Sequence, residues 1–120
     1  MDTDLYEPNT YLFYPAVTLD DSNDIFLVAS ASSTSINPSL GLFSAQSGGT
    51  NISGSLMQTG LGPLSCTNCN NLVRYGDYSG ISLDGSSLSS SVIWVAGEYG
   101  NAVSTSPSDV WGTEIGEYNY

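Results

Sequence analysis

The chain reads as an all-β protein of antiparallel sheets, and three observations predict it. Apolar residues fall into short runs rich in β-branched and aromatic side chains, each bounded by Asp, Asn, Gly or Ser clusters. No stretch sustains a period of 3.6 residues, and no cluster of Ala, Leu, Glu and Lys favours helix. The order of runs and turns also occurs twice along the chain.

Taken in order, the first run is Tyr14 to Leu19, which ends at the turn cluster Asp20-Asp21-Ser22-Asn23-Asp24. Ile25 to Ser30 follows, so the two form a hairpin with a loop of about five residues. Leu40 to Ala45 makes a third strand, closed by Gly48-Gly49-Thr50-Asn51, and Ser55 to Gln58 a short fourth. Thr59 to Val73 carries Gly60, Gly62, Pro63, two cysteines and a pair of Asn, and reads as loop. Strand pattern resumes at Tyr78 to Leu83, stops at Asp84-Gly85-Ser86-Ser87, and returns in Val92 to Gly97 and Val110 to Gly116.

The two halves match. Tyr14-Pro-Ala-Val-Thr-Leu-Asp20 lies over Tyr78-Ser-Gly-Ile-Ser-Leu-Asp84 at an offset of 64, and Leu27-Val28-Ala29-Ser30 over Trp94-Val95-Ala96-Gly97 at 67. Two matches in the same order, each spanning a turn cluster, describe a repeated sheet unit of three or four strands. The chain therefore divides into a first unit over 1–58 with an N-terminal extension, a Gly/Pro/Cys/Asn loop over 59–73, and a second unit over 74–120. Repeats of this kind suggest radially arranged propeller blades; a small β-sandwich of the same strands is the alternative.

Composition bounds the function. At 120 residues the chain is one domain or a piece of one. Twelve acids face the single cation Arg74, with no Lys and no His, for a net charge of −11. Phosphate neutralisation needs many cations, so a nucleic-acid partner is excluded, and an anionic membrane surface would repel the chain. Mechanisms that need a His or Lys base are excluded too. High net charge with abundant Ser and Gly is a signature of disorder, but 40% hydrophobic residues gathered into runs argue for a fold. No apolar stretch is long enough for a membrane helix, and the acidic first ten residues lack a basic signal-peptide start. An extracellular or cell-surface setting is favoured, with a cytoplasmic one left open. No cofactor motif is present.

Several side chains invite a chemical reading. Asp20, Ser22 and Asp24 alternate like the opening ligands of a Ca²⁺ loop, but the sixth position is not Gly and the twelfth is Ala31, so ordinary hairpin chemistry is the stronger expectation. Cys66 and Cys69 form one CxxC, too few ligands for zinc; they make a local disulfide in an exported protein or remain two thiols. Arg74 is either a clamp for a carboxylate or phosphate, or the partner of Asp77 or Glu98 in an internal ion pair. Asp77 and Glu98 are the pair to examine for two-carboxylate glycoside chemistry. Tyr75, Tyr78 and Tyr99, with Trp111, could offer stacking surfaces to a sugar, and Trp94, inside an apolar run, is expected in the core. Asn51-Ile52-Ser53 is a glycosylation sequon with meaning only in a eukaryotic secretory route.

Together, Tyr14-Pro-Ala-Val before an Asp turn, Arg74-Tyr75-Gly76-Asp77-Tyr78-Ser79-Gly80, Trp94-Val95-Ala96-Gly97-Glu98-Tyr99 and Trp111-Gly112-Thr113 resemble bacterial sialidase-like (BNR-type) β-propeller repeats. The resemblance spans about Tyr11 to Tyr118 and implies roughly two blades. Sialidases place three arginines on the substrate carboxylate, whereas this chain has one. The Asp box Ser-x-Asp-x-Gly-x-x-Trp is also not met at Ser82-Leu83-Asp84-Gly85. Sialidase catalysis is therefore not carried over.

Three function classes follow. The first is a non-catalytic structural or binding module, a propeller sector completed by self-association (three copies give six blades) or by a longer chain. Its ligand would be a carbohydrate held by Arg74, Tyr75, Asp77, Tyr78, Glu98 and Tyr99. The second is a glycan-active hydrolase using Asp77 and Glu98. The third is a protein whose surface carboxylates hold water in a saline setting. The first is preferred.

Overall fold

A computed structural model describes residues 8–49, 51–64, 73–85, 92–101 and 111–120. Their strands are β1 (Tyr11–Leu19), β2 (Ile25–Ser32), β3 (Ser39–Ala45), β4 (Ser53–Gln58), β5 (Gly80–Leu83), β6 (Val92–Gly100) and β7 (Trp111–Asn119). The protein is all-β. Two antiparallel meanders result, a four-stranded sheet in the order β1-β2-β3-β4 and a three-stranded sheet in the order β5-β6-β7. Among the described residues there is no helix, and neither sheet closes into a barrel.

Local chemistry fixes the turns. The Asp20 carboxylate Oδ1 accepts the N–H groups of both Ser22 and Asp24 at 2.8 Å, while Asn23 takes a φ of 63°, which its short polar side chain tolerates. Asp24 in turn accepts the Ser47 N–H at 2.7 Å, tying this hairpin to the β3–β4 turn. In β1 the register slips between Phe13 and Ala16, so Tyr14 and Pro15 together oppose Ala29. This bulge accommodates Pro15, which has no N–H to give the ladder, and holds Tyr14 at a φ of 53°.

The sheets stack face to face, β1 against β5, and β2 and β3 against β6. Phe26, Val28, Leu40 and Leu42 from the first sheet meet Ile93 and Val95 from the second, with Ala16, Met57, Ile81 and Leu83 around them. Burial of each large side chain contributes about 1.5–3 kcal/mol, so this single layer is the main source of stability. Glycines let the layers interlock. A Cβ at Gly97 would overlap the Leu40 side chain, and one at Gly116 would meet the Met57 methyl. Sandwiches and neighbouring propeller blades share this stacked geometry.

The repeat is only partly in phase. Phe26 and Val28 of β2 correspond to Ile93 and Val95 of β6, all four buried on the inner faces, as the second sequence match implies. Pairing then places Ala16 (opposite Val28) on Ile81 (opposite Val95), and Thr18 on Leu83. The first sequence match is therefore one residue out of step: it lays outward-facing Val17 over inward-facing Ile81. A slip of one residue exchanges the faces of a strand, so identity of residue type there does not mean identity of role.

The two outer faces differ: the first sheet's carries no charge, whereas the second's mixes apolar side chains with Glu117. On the first sheet, Val17, Leu27, Phe43 and Gly54 line up across the four strands, with Leu19, Ile25 and Ala45 in a second row. Phe43 lies flat over Gly41 and Gly54, where any Cβ would strike its ring. Val17 and Leu19 are 61% and 51% exposed. On the second sheet the outer face pairs Ala96 with Ile115, which is 70% exposed, and sets Trp94 between Ser82 and Glu117. Trp94 is thus not a core residue. Its neighbours Ile93 and Val95 take the inner positions, and strand alternation turns the indole outward.

Candidate functional site

The segment from Val73 to Ser79 bridges the ends of the two sheets, and Glu98 of β6 holds it there. The Gly76 N–H donates to Glu98 Oε2 at 2.7 Å, and the Tyr75 hydroxyl donates to the Glu98 backbone carbonyl at 2.8 Å. Gly76 has a φ of 79°, and a Cβ there would press on the Tyr14 ring and the Ser30 hydroxyl, so two independent constraints demand glycine. Tyr75 is buried, its ring edge-on to Phe13 at 6.1 Å, and Phe13 is edge-on to Tyr14 at 5.6 Å. Burial pushes the Tyr75 phenol above its ordinary pKa of 10.0; the Ser30 hydroxyl pulls the other way, and the nearby Glu98 charge raises it further.

Around this anchored turn lies a shallow cleft of about 210 Å³, lined by Arg74, Tyr75, Gly76, Asp77, Tyr78, Glu98 and Trp111. Five of the six residues singled out as ligand-binding by sequence thus come together. Arg74 pairs with Asp77 at 3.7 Å, but its side chain is 89% exposed, so the expected buried ion pair is instead a surface one. Such pairs contribute at most about 1 kcal/mol and leave the guanidinium free to engage something else. Tyr78 and Trp111 present exposed rings at the rim.

The sixth residue, Tyr99, is not part of this cleft. It sits on the inner face of β6 opposite Gly112, and a Cβ on Gly112 would strike its ring. Its role is to cover a glycine across the strand pair. Glu98 is likewise more restricted than a free catalytic acid, because one carboxylate oxygen already accepts a backbone N–H. Asp77 keeps an exposed carboxylate beside the aromatic rim. This arrangement can hold a ligand with an apolar face against Tyr78 and Trp111 and hydrogen-bonding groups toward Asp77 and Arg74.

The remaining expectations fall elsewhere. Asp20 and Asp24 each spend one carboxylate oxygen on backbone N–H groups, Asp20 within its own turn and Asp24 on Ser47 of the neighbouring one. No group of three or more metal-ligating side chains gathers among the described residues. Cys66 and Cys69 lie outside the described residues. A larger hollow of about 500 Å³, absent from the sequence reading, opens at the opposite end between Asp24, Phe26, Gln46, Asn51 and Tyr120. Its wall depends on Tyr120 resting 4.3 Å from Phe26, a contact far apart in sequence with no local signal to announce it. No family model, no curated protein and no solved structure gives a significant match to this chain.

Proposed function

We propose that this chain is a non-catalytic structural and binding module, a two-sheet sector of a larger β assembly completed by copies of itself or by further chain. The observation that carries this reading is the outer face of the first sheet. In a chain of net charge −11, none of the residues on that face, from Val17 and Leu19 through Leu27 and Phe43 to Leu56, is charged. Depletion of charge together with exposed Val17, Leu19 and Leu56 on the two flanking strands, around a buried middle at Ala29 and Phe43, suits an interface better than a solvated surface. The second sheet offers Trp94 and Ile115 outward beside Glu117, a face of different character. Two unlike faces on opposite sides of a unit suit head-to-tail packing, which closes into a ring when the rotation allows. The likeness to sialidase-like repeats makes the propeller the architecture of choice, with three copies supplying six sheets.

Within that module the Arg74–Trp111 cleft is the ligand site, and a carbohydrate is the ligand class that suits it. Pyranose rings have an apolar face for Tyr78 and Trp111 and hydroxyls for Asp77. Engagement of Glu98 by Gly76 weighs against a hydrolase. Light scattering on a size-exclusion column tests the assembly: a mass near three times 12.6 kDa is expected. A folded monomer at every concentration, with no binding of an apolar dye, would overturn it.

A further inference from the structure

We propose that the edge of β7 facing away from β6, which pairs with no described strand, is a docking site for an extended, basic segment of a partner protein, which adds to the second sheet as a fourth strand. In the first sheet β4 covers the far side of β3. The equivalent strand of the second sheet, β7, has no described strand on its far side. The other three edges carry features that discourage pairing. β1 has the Tyr14–Pro15 bulge, β5 has four residues, and β4 has six residues and a register break against β3. β7 runs for nine residues with unbroken register to β6, so its outer row of N–H and C=O groups is long and regular. An unpaired edge of that kind is a template for strand addition.

Charge selects the occupant. Glu114 is on the inner face opposite Gly97, and Glu117 on the outer face opposite Trp94. Neither side-chain carboxylate makes a hydrogen bond or ion pair with any described residue. A second copy of β7, paired antiparallel with Ile115 opposite Ile115, would bring the two Glu114 side chains into diagonal contact on the inner face. Like charges so placed oppose pairing. A strand with alternating cations instead supplies an opposite charge to Glu114 where water is partly excluded, and the net charge of −11 draws it in. This proposal is independent of what covers the sheet faces.

The probe is a nine-residue peptide alternating Lys and Val, capped at both ends and fluorescently tagged, titrated at physiological salt against the whole chain. Binding is expected to slow hydrogen exchange of β7 amides and leave β4 amides unchanged. The same peptide N-methylated on every residue keeps its charge and loses its donors, and should bind at least about tenfold more weakly. Glu114→Gln, checked for an unchanged melting midpoint, should weaken the unmodified peptide by about threefold or more. No binding by the Lys/Val peptide, protection appearing at β4 in place of β7, or equal binding of the N-methylated form would each overturn the proposal.

Discussion

The contact between Leu40 and Gly97 decides whether the two sheets act as one folding unit. Leu40 is fully buried on β3, and its side chain fills the hollow left by the missing Cβ at Gly97 on β6, with Cγ 3.3 Å from where that Cβ would stand. Leu40→Ala removes a core side chain and leaves a cavity, for an expected cost of about 2–5 kcal/mol. Gly97→Ala pushes a methyl into an occupied space with no exposed route for Leu40 to yield, for an expected cost of about 1–3 kcal/mol. Combined, the new methyl occupies part of the space that the truncated leucine vacates. The double variant should therefore be more stable than the two losses added together imply, by roughly 0.5–3 kcal/mol.

Urea denaturation followed by tryptophan fluorescence measures all four corners of the cycle. Because a domain of this size is stable by only about 5–15 kcal/mol, each loss is large enough to resolve. An unchanged denaturant slope across the four proteins would show that the same surface is exposed each time. Additivity within about 0.5 kcal/mol would refute the interlock, since residues on layers that do not touch have no reason to couple.

Other consequences follow from single contacts. Glu98→Ala should cost about 1–3 kcal/mol by leaving the Gly76 N–H without its acceptor, and Glu98→Gln should recover part of it; equal melting temperatures for all three proteins would remove Glu98 from its anchoring role. Because the Tyr75 phenol is held above 10.0 in the fold, its stabilising effect is complete below pH 10 and lost as pH rises through the folded-state value. Denaturation midpoints from pH 8 to 11.5 should thus fall less steeply in Tyr75→Phe, and parallel curves would contradict this. Millimolar calcium should leave the melting temperature unchanged, because Asp20 and Asp24 already bind backbone donors; a rise with calcium would show these oxygens to be available. Val17→Thr with Ile115→Thr should alter stability of the isolated unit by no more than about 0.5 kcal/mol each while reducing the assembled mass in light scattering.

Strand positions were legible because each apolar run ends at residues whose side chains prefer turns, and all seven strands overlap the runs from which they were expected. The faces were less legible. Val92 to Val95 is apolar at every position, so alternation gives no phase, and only stacking against Leu40 and Val28 decides that Ile93 and Val95 turn inward. The bulge at Tyr14–Pro15 shifts β1 by one residue and defeats an alignment that relies on like residues. At the site, the cluster from Arg74 to Tyr78 was legible because its members are consecutive, and Glu98 because its strand follows theirs. The anchoring of Gly76 and the inward turn of Tyr99 were not, since both depend on contacts between chain segments that no local pattern encodes.

The distribution of charge also bears on why the chain is so acidic. Carboxylates that serve only to hold water in a saline medium would be spread over every exposed surface. Among the described residues they are not. Asp20, Asp21 and Asp24 share one turn, Asp84 follows β5, Asp77 and Glu98 flank the cleft, and Glu114 and Glu117 lie on one edge strand. The whole outer face of the first sheet has none, although Val17 and Leu19 there are exposed. With charge kept off one broad face and concentrated on turns and on β7, burying that face would desolvate no carboxylate. The same pattern makes strand pairing at the β7 edge conditional on a cation. On the proposed contacts, acidity in this chain acts as a rule about which surfaces meet, and raising ionic strength should separate the two kinds of contact. Screening weakens a basic strand at β7, whereas contacts through the charge-free face persist or tighten.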